Sequence, residues 1–243
     1  MKKFAVILII LVLCTLIGLW SPWRSINIDL PQLFGISKQD LKSGLQVYSL
    51  SGNIQIYVDN QLKGEVTPEE SPYFVDNIDP GQHLIKLERK SETESAYWTF
   101  NKLVTFEKGT NVVVSYNLGP SEVFSEGHII YAVNKDYTKT ETSINVLLNI
   151  AEFNIQFDSL PIEKISFNEY SSLLDLTRQH SIKLSKPGFE QLEFVILPSS
   201  QEERDKLKNY NIMIEAHLMY QPVNVEDIIQ NPTEQSTQEQ IQE

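Results

Sequence analysis

Ile54-Gln55-Ile56-Tyr57-Val58-Asp59-Asn60 is the stretch on which the fold turns. Ile54, Ile56 and Val58 alternate with Gln55 and Tyr57, the period of two that sets one side of a β-strand in a core and the other toward water. Asp59 and Asn60 follow, both of the short polar types that stabilise a turn and tolerate a left-handed backbone. Further along, Asp79-Pro80-Gly81 is a second turn signal, and His83, Ile85 and Leu87 resume one face of a strand. After Gly109, the residues Val112, Val114, Tyr116 and Leu118 again share a face, and Gly119-Pro120 closes the unit.

The same events recur about a hundred residues later. Asn53-Ile54-Gln55 is echoed by Asn154-Ile155-Gln156, Asp59 by Asp158, and Gln82-His83 by Gln179-His180. Val112, Val114, Tyr116 and Leu118 correspond to Ile212, Ile214, Ala216 and Leu218. Four landmarks in one order at a nearly constant offset indicate an internal duplication of a β-unit. Short strands with frequent turns predict an all-β fold of two tandem small antiparallel β-sandwich domains, 43–120 and 143–220. The connector 121–142 holds a further strand pattern through Ile129 to Val133.

The flanks differ in kind. Phe4 to Trp20 is an uncharged run preceded by Lys2 and Lys3, near the lower length limit for crossing a bilayer as a helix. The lysines set the N-terminal side in the cytoplasm and the bulk outside, with Trp20, Trp23 and Arg24 at the far membrane interface. A cleaved signal peptide begins the same way, but every candidate cleavage site carries a bulky side chain where a small one is needed, so residues 1–24 are read as a retained single-pass anchor. A lipoprotein signal ending at Cys14 has Leu13 where a small residue belongs. Residues 25–42, with no sustained period, read as a juxtamembrane stalk, and the acidic, glutamine-rich 221–243 as a disordered tail.

The landmarks resemble the PEGA domain, a small β-sandwich module of bacterial and archaeal envelope proteins. The resemblance rests on Ile56-Tyr57-Val58-Asp59-Asn60, on Gly64-Glu65-Val66-Thr67-Pro68 and above all on Asp79-Pro80-Gly81-Gln82-His83. The second unit is more eroded: Asp158 and Gln179-His180 are kept, Thr177-Arg178 stands in place of Pro-Gly, and Lys186-Pro187-Gly188-Phe189 fits the family's Gly-Tyr element. The resemblance implies a sandwich fold and an extracytoplasmic location in the cell envelope. It carries over no catalytic residue.

Chemistry is sparse. Twenty basic against thirty-two acidic residues give a net charge of −12, which repels nucleic-acid phosphates, and the lone cysteine excludes an internal disulfide. His83 and His180 lie on inward strand faces just after turns and read as hydrogen-bonded structural histidines. His128 and His217 have no partner at metal-ligand spacing and read as solvated. Asp59 and Asp158 read as turn-formers, and Glu202-Glu203-Arg204-Asp205 as a solvated charged loop. Of Tyr97, Trp98 and Phe100, alternation sends one aromatic set into the core.

No cofactor or metal site is expected. The reading is a non-enzymatic, membrane-anchored envelope protein that presents two modules to an unidentified envelope protein or cell-wall polymer. The alternative is a surface carbohydrate-active or hydrolytic protein using a carboxylate pair such as Asp59 with Glu88.

Overall fold

The computed structural model describes residues 24–28, 33, 42–91, 96–135 and 141–221. The described residues form an all-β fold, and fourteen of its strands fall into two matching sets of seven. The first repeat runs β2 (Ser43–Ser49), β3 (Ile54–Val58), β4 (Gln61–Val66), β5 (Tyr73–Ile78), β6 (Gly81–Arg89), β7 (Phe100–Phe106) and β8 (Asn111–Asn117). The second runs β10 (Ser143–Leu148), β11 (Phe153–Phe157), β12 (Glu163–Ile165), β13 (Glu169–Leu173), β14 (His180–Ser185), β15 (Leu192–Ile196) and β16 (Tyr210–His217). Each pairing in one set recurs in the other: β2 lies antiparallel to β5 and parallel to β8, as β10 lies antiparallel to β13 and parallel to β16. The hairpin β3–β4 and the ladder β3–β6–β7 recur as β11–β12 and β11–β14–β15.

Between the sets lies β9 (Glu126–Asn134), within the expected connector. It pairs antiparallel with β8 on one side and β16 on the other, so one seven-stranded sheet runs β13-β10-β16-β9-β8-β2-β5 through both repeats. The four-stranded sheet β4-β3-β6-β7 belongs to the first repeat, and β15-β14-β11-β12 is its counterpart in the second.

Strand alternation decides where the cores sit. Val114 opposes Ile129, and both join the first core with Leu45, Val47, Ile56, Ile85 and Phe106. Val113 opposes Ile130, and both join the second core with Ile144, Val146, Phe153, Ile182 and Phe194. Adjacent residues of a strand point to opposite faces, so the two cores lie on opposite faces of the common sheet at β8 and β9. Val112, Val114, Tyr116 and Leu118 fill the first core as Ile212, Ile214, Ala216 and Leu218 fill the second.

Two expectations from the sequence need correction here. Part of the expected stalk, 25–42, is built into the second repeat: Arg24–Ile28 forms strand β1, parallel to β15, and Ile28 and Leu33 are buried in the second core. Arg24 therefore begins a strand. Ile26 and Ile28 do alternate, but five residues are too few for a period to stand out. The run Glu202-Glu203-Arg204-Asp205 lies within a short helix, Gln201–Leu207, whose Leu207 is buried in the second core. Trp20, Trp23, the apolar run before them and the tail beyond 221 lie outside the described residues. Among the described residues no helix is long and apolar enough to cross a membrane.

Candidate functional site

The residues singled out by the sequence converge on one device, built twice. Asp59 ends β3 with φ of 52°, and Asn60 continues the left-handed turn with φ of 63°. That geometry turns the Asp59 carboxylate back toward β6. Its Oδ1 accepts the backbone N–H of Leu84 at 3.0 Å, and its Oδ2 accepts from His83 Nδ1 at 2.6 Å. The other ring nitrogen of His83, Nε2, donates to the carbonyl of Asp79 at 2.7 Å. That carbonyl belongs to the turn completed by Pro80 and Gly81, the latter at φ of 136°, a conformation glycine adopts without strain. One imidazole thus ties the β3 turn to the β5–β6 turn.

The second repeat rebuilds the same three hydrogen bonds. Asp158, with φ of 53°, accepts from Ser181 N at 2.9 Å and from His180 Nδ1 at 2.9 Å. His180 Nε2 donates to the carbonyl of Asp175 at 2.8 Å. Thr177-Arg178 replaces Pro-Gly without loss of the turn, because Thr177 donates both its N–H and its hydroxyl to Asp175 Oδ1. Arg178 adds an ion pair to Asp158 at 3.1 Å.

The electrostatics match the geometry. The His83 ring and then the Leu84 N–H hold the Asp59 carboxyl below its ordinary value. At Asp158 burial pushes the other way, but the Ser181 N–H, the His180 ring and Arg178 outweigh it, and its carboxyl also lies low.

The remaining predicted positions are structural in detail. A Cβ at Gly64 would meet the Tyr73 ring at 2.3 Å, so only glycine allows that tyrosine to reach the Lys63 carbonyl. Gly188, at φ of 82°, turns the loop after β14, and its carbonyl accepts from Gln221 N. Phe100 is buried, Trp98 packs on the first core, and Tyr97 lies under the Arg89 guanidinium.

An aspartate–histidine pair invites comparison with proton-transfer chemistry. Such chemistry leaves one ring nitrogen free to face a nucleophile or substrate. Here a carboxylate and a carbonyl occupy the two nitrogens of each ring, so neither nitrogen is free. The carboxylate pair Asp59 with Glu88 does not converge either. Glu88 stands opposite Gln55, four residues before Asp59, roughly 13 Å away at about 3.3 Å per residue. It pairs with Lys86 instead. Among the described residues no group of three or more His, Cys, Asp or Glu side chains is placed to hold a metal ion.

The second feature is the seam at β9. Glu215 of β16 meets Lys102 of β7 in an ion pair and accepts from the Tyr131 hydroxyl at 2.7 Å, joining three strands across the repeats. Burial, reinforced by Glu215, pushes the Tyr131 hydroxyl above its ordinary value. Beside it, His217 donates from Nε2 to the Glu122 carbonyl and packs against Trp98 with ring centroids 5.5 Å apart.

Sequence reasoning missed this seam, and it misjudged two histidines. His128 and His217 are buried, not solvated. His128 lies on β9 opposite both Ser115 and Ala216, on the face of the second core. Its position two residues before Ile130 in an alternating run was the available signal. The aspartate–histidine link was also missed. Its signal was the recurrence of both residues in both repeats.

No protein-family model matches the chain, and no curated protein sequence does. Among solved structures, it is similar to the TIE protein of Bacillus anthracis at 10% identity and a TM-score of 0.23, over 74% of this chain and 34% of that one. It is also similar to a double mutant of the shaft pilin SpaA from Lactobacillus rhamnosus GG, at 10% identity and a TM-score of 0.21, over 76% of this chain and all of that one. The chain thus spans about a third of the length of the first of these. Similarity at this level identifies neither a PEGA domain nor any other family.

Proposed function

We propose that this chain is a non-enzymatic, membrane-anchored protein of the cell envelope. In this reading it holds two PEGA-like β-sandwich modules outside the membrane for contact with a protein or a cell-wall polymer. The observation that carries the proposal is the common sheet. Two repeats joined by a bonded strand, with a salt-bridged seam beside it, make a stiff body that fixes the spacing of two binding faces. Fixed spacing suits weak contacts made in pairs, because the second contact forms at high effective concentration. The uncharged run Phe4 to Trp20 behind Lys2 and Lys3 supports an anchor with its N-terminal side in the cytoplasm. The closed aspartate–histidine pairs support a structural use of the groups that most resemble catalytic ones.

The test has two arms. Fractionated cells should hold the intact chain, with the mass of the uncleaved sequence, in the membrane, and protease added outside should degrade the repeats. The full chain, crosslinked in the envelope, should recover a defined protein or glycan partner. A soluble chain, or one crosslinked to nothing, would sink the proposal.

A further inference from the structure

The face of the common sheet that carries the second core also bounds a cavity of about 300 Å³. Its walls come from β1, Leu33, β2, β8, β9 and the segments 190–192 and 217–219. Ile26, Ile28, Leu33, Val113, Ile130 and Leu192 make it largely apolar. Into that lining β9 introduces His128, 3% exposed and set edge-on to Phe194 with ring centroids 5.5 Å apart.

His128 differs from the other three histidines. His83, His180 and His217 each donate to a backbone carbonyl, whereas the Nδ1 of His128 has no hydrogen-bond partner. That nitrogen is sealed from a water-sized molecule, which leaves Nε2 as the ring nitrogen that an occupant of the cavity can meet. Burial lowers the His128 pKa to about 4, so the ring is neutral near pH 7 and offers one donor and one acceptor. Ser115, directly opposite on β8, adds a hydroxyl to the same wall. Glu126 and Glu190 also line the space and disfavour an anion there.

We propose that this cavity is a binding site for a small uncharged molecule, mostly apolar, bearing one hydroxyl that hydrogen-bonds His128. Alkyl phenols are representative of the class. The volume is roughly twice that of an apolar protein cavity that takes up benzene, and sits at the small end of ligand pockets. The apolar walls supply affinity and the imidazole supplies orientation. This site is independent of the envelope role proposed above.

The full chain, labelled with nitrogen-15, is titrated with 4-propylphenol and separately with propylbenzene while the ring resonances of His128 are followed. Propylphenol should shift them saturably with a dissociation constant of about 1 mM or tighter, and propylbenzene should bind about tenfold more weakly, as expected for one lost hydrogen bond. His128→Leu should weaken propylphenol about tenfold and leave propylbenzene unchanged. If His128→Leu fails to fold, the contrast between the two probes on the unaltered chain still decides. No saturable shift from propylphenol, equal affinity for both probes, or undiminished propylphenol binding by His128→Leu would each overturn the proposal.

Discussion

The two repeats use the same strand order and the same aspartate–histidine link, yet they are not equally self-sufficient. The first core is filled almost wholly from its own seven strands and takes Ile129 from β9. The second core takes Ile130 from β9, Val113 from the first repeat, and Ile28 and Leu33 from the segment before it. Its edge strand β15 is covered by β1, whereas β7, the equivalent in the first repeat, is the last strand of its sheet. The second link is also the more buried. The His180 side chain is 1% exposed against 18% for His83, and Asp158 is 18% exposed against 51% for Asp59. A duplicated unit can therefore diverge in sequence and keep its geometry, provided neighbouring segments supply what it has lost.

The largest expected effect follows from that asymmetry. A fragment of residues 42–135, which includes β9, should show a cooperative thermal transition alone. A fragment of 141–221 should show none, because it lacks four buried core residues and the strand that pairs with β16. Calorimetry of both fragments checks this, and an independent transition in 141–221 would erase the claimed dependence.

Next come the links themselves. His180→Ala should destabilise the chain by about 3 kcal/mol and His83→Ala by about 1–2 kcal/mol, since removing the more buried ring strands a more deeply buried carboxylate. Urea unfolding of the two variants should rank them in that order. Equal losses would mean that burial does not set the strength of the link.

Acid should act through the same residues. Asp59 and Asp158 both have carboxyls held below their ordinary value. A carboxyl lowered in the folded state contributes stability that is complete above its unfolded value and is lost as pH falls through its folded value. Melting temperature should therefore fall below about pH 4, and Asp158→Asn should flatten that fall. An Asp158→Asn variant with the same acid profile as the parent would remove Asp158 from the explanation.

The smallest effect is at Arg178, whose side chain is 58% exposed. Arg178→Ala should cost about 0.5 kcal/mol, the scale of a surface ion pair, and the loss should shrink in high salt. A salt-independent loss would point to packing by the arginine stem instead.

How much of this the sequence revealed follows from the range of each interaction. Strands such as Ile54–Val58 and Phe153–Phe157 were legible because alternation is local. The duplication was legible because a fixed offset needs no knowledge of contacts. Asp59 and Asp158 were readable as turn residues, but their bonds to His83 and His180 span 24 and 22 residues and depend on strand register. β1 was invisible because its partner, β15, lies more than 160 residues away and its own pattern is two isoleucines long. The burial of His217 depends on what stacks beside β16, which no single strand's pattern encodes.

The strand β9 has a genetic consequence. Every other strand of the common sheet exists in two versions, as β8 does in β16, so drift in one copy leaves its counterpart intact. β9 occurs once and serves both halves, with Ile129 committed to one core and Ile130 to the other. A deleterious substitution there strikes both repeats at once, with no duplicate to share the load. In a library of random variants the nine residues from Glu126 to Asn134 should therefore be the least tolerant stretch of the whole sheet.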